Sequence, residues 1–182
     1  GEVPVIIGET GIPFDINQKR AFHTGDFAAQ TQAMDRTLRA LETNLLSYVL
    51  WNYNAFNDNR HGDHWNEEDF SIFSPDQMND PADINSGGRA LAAIVRPSPI
   101  ATAGSPLQLS FDFRTGEFSY SFQNNAPYPL LPTLLYVPLL QYPDNMVVEV
   151  SDGRWAYSPS SQVLEYYPGE GDTHSVHIHR KY

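Results

Sequence analysis

The residues best suited to chemistry stand at the ends of two apolar runs. In "VPVIIGETGIPFD", residues 3–15, five apolar residues lead straight into Gly-Glu-Thr-Gly, so a carboxylate, Glu9, follows what reads as a buried strand. In "LLSYVLWNY", residues 45–53, a second apolar run ends on Trp51 and Asn52. A carboxylate and an indole on neighbouring strand tips suit sugar chemistry: the carboxylate attacks an anomeric carbon, and the indole floors the C–H face of the ring. Hydrolysis with retention needs two carboxyl groups about 5–5.5 Å apart, one a nucleophile and one an acid/base, and Glu9 supplies one. The plainer alternative is a strand-end residue in a structural hydrogen bond or ion pair. From the residues alone the two readings stand even.

Between the second run and residue 86 lies a long polar segment rich in Asn, Asp and His. Loops of that length inside a compact domain are functional or disordered, and Phe56, Trp65, Phe70 and Phe73 argue for order. Its stretch "NDNRHGDHWN", residues 57–66, holds Asp58, His61, Asp63 and His64. Two His and two Asp are able to bind a divalent ion, but the spacing matches no standard metal motif. Contacts to sugar hydroxyls or hydrogen bonds within the loop are the preferred reading, and no metal is expected. "HSVHIH" puts His177 and His179 on one strand face, read as an exposed face rather than a metal pair.

The elements that must position these residues follow from periodicity. The Val- and Ile-rich run at residues 3–8 fits a parallel strand covered on both faces. Residues 11–25 read as a loop. "FAAQTQAMDRTLRALETN" reads as a helix over about residues 27–43, with Phe27, Met34, Leu38 and Leu41 on one stripe and Asp26 placed to cap it. The second apolar run completes a βαβ unit. "SGGRALAAIV" reads as a short helix, and "RPSPIATAGSP", residues 96–106, as a domain boundary. Beyond it "LQLSFDFRTGEFSYSF" alternates around Thr115-Gly116 as a hairpin, and further short strands predict an antiparallel β-sandwich over residues 104–182. The apolar residues 127–143, interrupted by five prolines, read as a sandwich edge strand, with lipid contact the second reading.

The expected fold class is therefore α/β plus all-β: the C-terminal part of a (β/α)8 TIM barrel over residues 1–97, then a sandwich over residues 104–182. One strand–helix–strand–helix segment does not close a core, so the rest of the barrel is expected on another chain or on a removed N-terminal part. Composition narrows the partners. A net charge of −11 with 11 basic residues argues against nucleic acid and against attraction to an anionic membrane, while a neutral substrate is compatible. The absence of cysteine excludes a thiol nucleophile, thiolate metal sites and disulfides. No stretch approaches 18 unbroken apolar residues.

"IIGETGIPFD", taken with "LWNYNAFNDNRHGDHWNEEDFSIFS" and "RALAAIVRPSPIATAG", resembles the C-terminal half of glycoside hydrolase family 5, in its endoglycoceramidase-related branch with the fungal glucosylceramidases and ergosteryl-β-glucosidases. The resemblance covers about residues 3–103 and extends more weakly to the sandwich. It implies that Glu9 is the strand-seven nucleophile and Trp51 the strand-eight aromatic platform. The family's acid/base Glu has no counterpart in this chain, so the resemblance implies that activity requires the N-terminal half. It implies further that the long loop borders the substrate pocket, which makes Asp58, Asn59 and His61 hydroxyl binders beside Asn52, and Trp65 either a further contact or a loop anchor. Phe14, just past the nucleophile, either lines the aglycone side or packs inward. The implied enzyme is a retaining β-glucosidase on a membrane glycolipid, ergosteryl β-glucoside first and glucosylceramide second, working by double displacement without a cofactor. Rivals are an inactive carbohydrate- or lipid-binding relative and a polysaccharide endoglucanase. An intracellular, soluble or peripherally membrane-associated enzyme is what the resemblance favours.

Overall fold

The computed structural model describes residues 3–124 and 131–181. The chain divides into two compact units, residues 1–41 with 46–94, and residues 42–45 with 95–182.

In the first unit, strands β1 (Ile6–Thr10) and β2 (Ser47–Leu50) pair in parallel. Ile6 lies opposite Ser47 and Ile7 opposite Tyr48; the register slips before Thr10 meets Leu50. Helices α1 (Ile16–Thr24) and α2 (Ala28–Thr43) connect them. α2 forms where its stripe predicts: Asp26 Oδ1 accepts the Ala28 N–H at 2.9 Å, and Met34 and Leu38 are fully buried with Ile12 and Phe14 in one apolar cluster. A short α3 (Leu91–Ile94) packs Ala93 into the same cluster.

Two expectations need correction here. Residues 11–25 are not a plain loop, because α1 fills their second half. Asn17, Gln18 and Lys19 adopt left-handed conformations (φ 56°, 57° and 60°), and Gly25 (φ 72°) closes the helix with its N–H on the Ala21 carbonyl. No apolar period announces so short and distorted a helix. Nor are the two strands covered on both faces: Val5 is 58%, Ile6 64% and Val49 54% exposed. A two-stranded sheet with helices packed on it has one face covered.

The second unit is built from two four-stranded antiparallel sheets. Strands β3 (Ser98–Ala101), β4 (Gly104–Asp112), β5 (Glu117–Asn124), β6 (Thr133–Tyr136), β7 (Met146–Val150), β8 (Arg154–Ser158), β9 (Val163–Tyr167) and β10 (Thr173–Arg180) assemble in the orders β4-β5-β10-β7 and β3-β6-β9-β8. Alternation does the sorting. Leu109, Phe111, Phe118, Tyr120, Phe122, Val176 and Ile178 from the first sheet meet Leu135, Leu164 and Tyr166 from the second in a single core. The β4–β5 hairpin turns where Thr115-Gly116 predicts, with Gly116 at φ 75° and its N–H on the Asp112 carbonyl.

The Pro- and Gly-rich residues 96–106 hold a strand. β3 lies at a sheet edge, where the missing N–H of Pro99 breaks no ladder. The expected edge strand at 127–143 falls partly outside the described residues. In the described part β6 is an interior strand between β3 and β9, since Pro132 and Pro138 flank it rather than interrupt it. His177 is exposed, its ring nitrogen 3.2 Å from Ser119 Oγ, and His179 Nδ1 lies 2.9 Å from the Arg180 carbonyl. Each ring thus has its own partner on the strand face.

Candidate active site

Glu9 is the penultimate residue of β1, and Trp51 immediately follows β2. The parallel pairing puts both at the same end of the sheet, and the Trp51 N–H donates to the Thr10 carbonyl at 2.7 Å. The two side chains share a cleft of about 370 Å³ whose other walls are Thr10, Gly11, Glu68 and Phe70. Glu9 is exposed and its carboxylate has no hydrogen-bond partner among the described residues. The Trp51–Asn52 peptide is cis. A free carboxylate beside an indole and a phenyl ring is an arrangement that takes a neutral, hydroxyl-bearing ring with one apolar face.

Gly11 holds the strand tips together. A Cβ there would lie 2.0 Å from the Trp51 carbonyl oxygen and 3.2 Å from the Phe70 ring, so a side chain must push both away. Gly11→Ala is expected to lower the unfolding free energy of the intact protein by about 1–3 kcal/mol, as overpacking does. Gly8→Ala, whose Cβ meets nothing within 4 Å among the described residues, is expected to cost less than Gly11→Ala. Denaturant midpoints of the two variants check the contrast.

The long loop is tied into the strand tips by main-chain bonds. Asn52 N–H donates to the Phe70 carbonyl (3.2 Å), Ile72 N–H to the Asn52 carbonyl (2.9 Å), and Phe14 N–H to the Asp69 carbonyl (2.6 Å). At its centre Arg89, fully buried, donates through Nη1 to Asp69 Oδ1 at 2.6 Å, through Nε to Gln77 Oε1 at 2.8 Å and through Nη2 to Asn59 Oδ1 at 3.1 Å. Its guanidinium lies 5.5, 4.8 and 5.9 Å from the ring centres of Phe14, Phe22 and Phe27. Burial pushes the Asp69 carboxyl above its usual range, against the pull of Arg89.

Set against this geometry, the residues singled out in the sequence divide. Glu9 and Trp51 share the cleft. Asn52 sits beside it, its amide donating to Asp63 Oδ2 at 2.8 Å. Phe14 is not a pocket residue: it is fully buried in the apolar cluster under Arg89. Asp58 and Asn59 are likewise engaged by the loop itself. Asp58 accepts the backbone N–H groups of His61 (2.6 Å) and Arg60 (2.8 Å), with the His61 ring at 3.1 Å and the His64 ring at 3.2 Å. The His61 backbone and ring hold its carboxyl down at about 2. Asn59 Oδ1 is taken by Gln77 and Arg89, and its carbonyl by Lys19 Nζ at 2.9 Å. His61 lines a second cavity of about 450 Å³, with Lys19, Arg60, His64, Glu67 and Glu68. Trp65 is 59% exposed and lines neither of these two cavities. Asp58, His61 and His64 do present three ligand atoms within 4.8 Å of one another.

Sequence reasoning missed Glu68 and Phe70 as cleft walls and Arg89 as the loop's anchor. The tract "NEEDF" carries no period that tells which of its acids faces the cleft, and Arg89 lies in a stretch read only as helix-forming.

Comparison with known proteins gives a consistent picture. Residues 96–178 match the glycoside hydrolase family 5 C-terminal domain. The chain is 38% identical over 178 residues to a glucosylceramidase of Rhizopus delemar, an alignment covering 90% of this chain and 26% of that protein. It is 30% identical to the ergosteryl-beta-glucosidase of Saccharomyces cerevisiae, covering 93% of this chain and 30% of that protein. Among solved structures, Cryptococcus neoformans sterylglucosidase 1 matches with a TM-score of 0.89 at 28% identity, covering 100% of this chain and 30% of that one. The chain thus spans between about a quarter and a third of the length of these relatives.

Proposed function

We infer that this chain, which belongs to glycoside hydrolase family 5, is the nucleophile-bearing part of a retaining β-glucosidase that removes glucose from a membrane glycolipid. The observation that carries the inference is the meeting of the unpartnered Glu9 carboxylate and the Trp51 indole in one cleft at the tips of two parallel strands. In the reading offered, glucose lies with its C–H face on Trp51. Glu9 attacks C1 and a glycosyl-enzyme ester forms as the aglycone leaves. A second carboxyl group protonates the leaving oxygen and then activates the water that releases glucose. That acid/base belongs to polypeptide beyond these residues. Double displacement needs no metal or organic cofactor.

Residues 1–97 are read as the last strands and helices of a (β/α)8 barrel and residues 104–182 as the β-sandwich domain that follows it. Exposed Val5, Ile6 and Val49 fit apolar surface that the N-terminal half, on the same chain or another, would cover. Sites at the carboxyl ends of barrel strands are where such enzymes do their chemistry. Steryl β-glucoside is the first-choice substrate, supported by the likeness to the sterylglucosidase structure, with glucosylceramide the nearest alternative, supported by the higher sequence identity of the relatives of that name. Peripheral contact with a membrane follows from a lipid-borne substrate. A net charge of −11 speaks against nucleic acid.

The test offers the complete enzyme steryl β-glucoside, glucosylceramide and a sphingolipid with a longer headgroup side by side. Release of free glucose, fastest from the steryl glucoside, is the expected outcome. Release of a longer oligosaccharide overturns the glucosidase reading. Binding of any of the three without turnover turns the assignment toward an inactive relative.

A further inference from the structure

Resting on the reading above, we propose that Glu68 selects the sugar: its carboxylate accepts hydrogen bonds from two adjacent hydroxyl groups of the glucose ring held between Glu9 and Trp51. Glu68 lines the same cleft as Glu9, Trp51 and Phe70 and also borders the neighbouring cavity of His61 and His64. It is half-buried, and no described residue donates to its carboxylate. Half-buried carboxylates without protein donors take them from water or ligand. Where the adjoining walls are an indole and a phenyl ring, the ligand that brings donors and still packs well is a neutral polyol ring.

Main-chain bonds fix the backbone that carries this acid. Glu68 N–H donates to the Trp65 carbonyl at 2.9 Å, and its own carbonyl accepts from Asp63 N–H at 2.9 Å. Gly62 (φ 70°) lets the chain pass so close that a Cβ there would lie 2.0 Å from the Glu68 carbonyl oxygen. The next two residues are fixed as well, Asp69 by Arg89 and Phe70 by its main-chain bond to Asn52. A carboxylate carried at this place offers two acceptor oxygens, enough for two neighbouring hydroxyls of one ring. Asp58 and Asn59, engaged elsewhere, do not compete for this role.

The test compares Glu68→Ala with the wild-type complete enzyme on an aryl β-glucoside, the epimeric aryl β-galactoside and a series of singly deoxygenated aryl β-glucosides. Glu67→Gln, an adjacent acid outside the Glu9 cleft, serves as the control for charge. For Glu68→Ala, kcat/KM on the glucoside is expected to fall about 10- to 100-fold, the scale of hydrogen bonds to a charged group, with a smaller fall on the galactoside. Two of the deoxy substrates are expected to lose nothing further, because the partner of the missing hydroxyl is already gone. Glu67→Gln is expected to match wild type. An unchanged glucose preference, or losses from Glu68→Ala and from every deoxy substrate that simply multiply, overturns the proposal. So does a loss confined to substrates with poor leaving groups, which marks an acid/base instead. Calorimetric binding of methyl β-D-glucoside separates the two levels of inference. A wild type that binds without turnover defeats the enzymatic reading alone, and binding undiminished in Glu68→Ala defeats the role of Glu68.

Discussion

Glu9→Gln in the complete enzyme is expected to lower kcat by about 10⁴-fold or more while substrate still binds. The amide keeps the shape of the side chain and loses the nucleophile. Because Glu9 is exposed and no described residue donates to its carboxylate, the exchange breaks no contact among the described residues, and the melting temperature is expected to move little. That separates loss of chemistry from loss of structure, which a buried acid would not allow. Glu9→Ala adds a second readout. With the carboxylate gone, azide has room to attack C1 from the face Glu9 occupied, and an activated aryl β-glucoside should give α-glucosyl azide. The β-azide would show instead that the acid/base had been removed, and hydrolysis at the wild-type rate by either variant would place the nucleophile elsewhere.

What the sequence discloses about this chain depends on how local the signal is. An apolar run closing on Gly-Glu is a local pattern, and Glu9 stands at the end of β1 as read. The stripe of α2 and the Thr115-Gly116 turn are equally local, the first a period of 3.6 and the second a positive φ that glycine supplies. The long loop is different. Its order comes from pairs far apart in sequence, Asn59 with Arg89 or Asn52 with Asp63, and a run of Asn, Asp and His does not say which side chains turn inward to each other and which face a ligand. Asp58 and Asn59 therefore look like binding residues in the sequence, and in the structure both make hydrogen bonds within the loop. Glu68 looks like one of two adjacent surface acids and proves to line the cleft. Phe14 stays open between pocket wall and core in the sequence for the same reason: residue type announces an aromatic, and only the packing of Met34, Leu38 and Arg89 around it decides that it is buried.

Arg89 has the largest structural consequence. Arg89→Leu is expected to destabilise the first unit by about 3–5 kcal/mol, because removing one partner of a buried pair leaves the other charge uncompensated. Asp69, 1% exposed, would keep the amide of Asn57 at 2.8 Å and lose the guanidinium at 2.6 Å. The deficit should depend on pH in a definite sense. Burial already raises the Asp69 carboxyl, and losing Arg89 removes the charge that opposes that rise. A carboxyl raised in the folded state binds more protons there than in the unfolded chain, so stability falls as pH rises through the folded value. Denaturant titrations should therefore show a larger gap between variant and wild type at pH 7 than at pH 5. Arg89→Leu combined with Asp69→Leu removes both charges and should recover part of the loss, the remainder measuring the hydrogen bonds to Gln77 and Asn59. A single variant as stable as wild type, with no pH trend, would mean that the three rings of Phe14, Phe22 and Phe27 hold the loop without the charge at its centre.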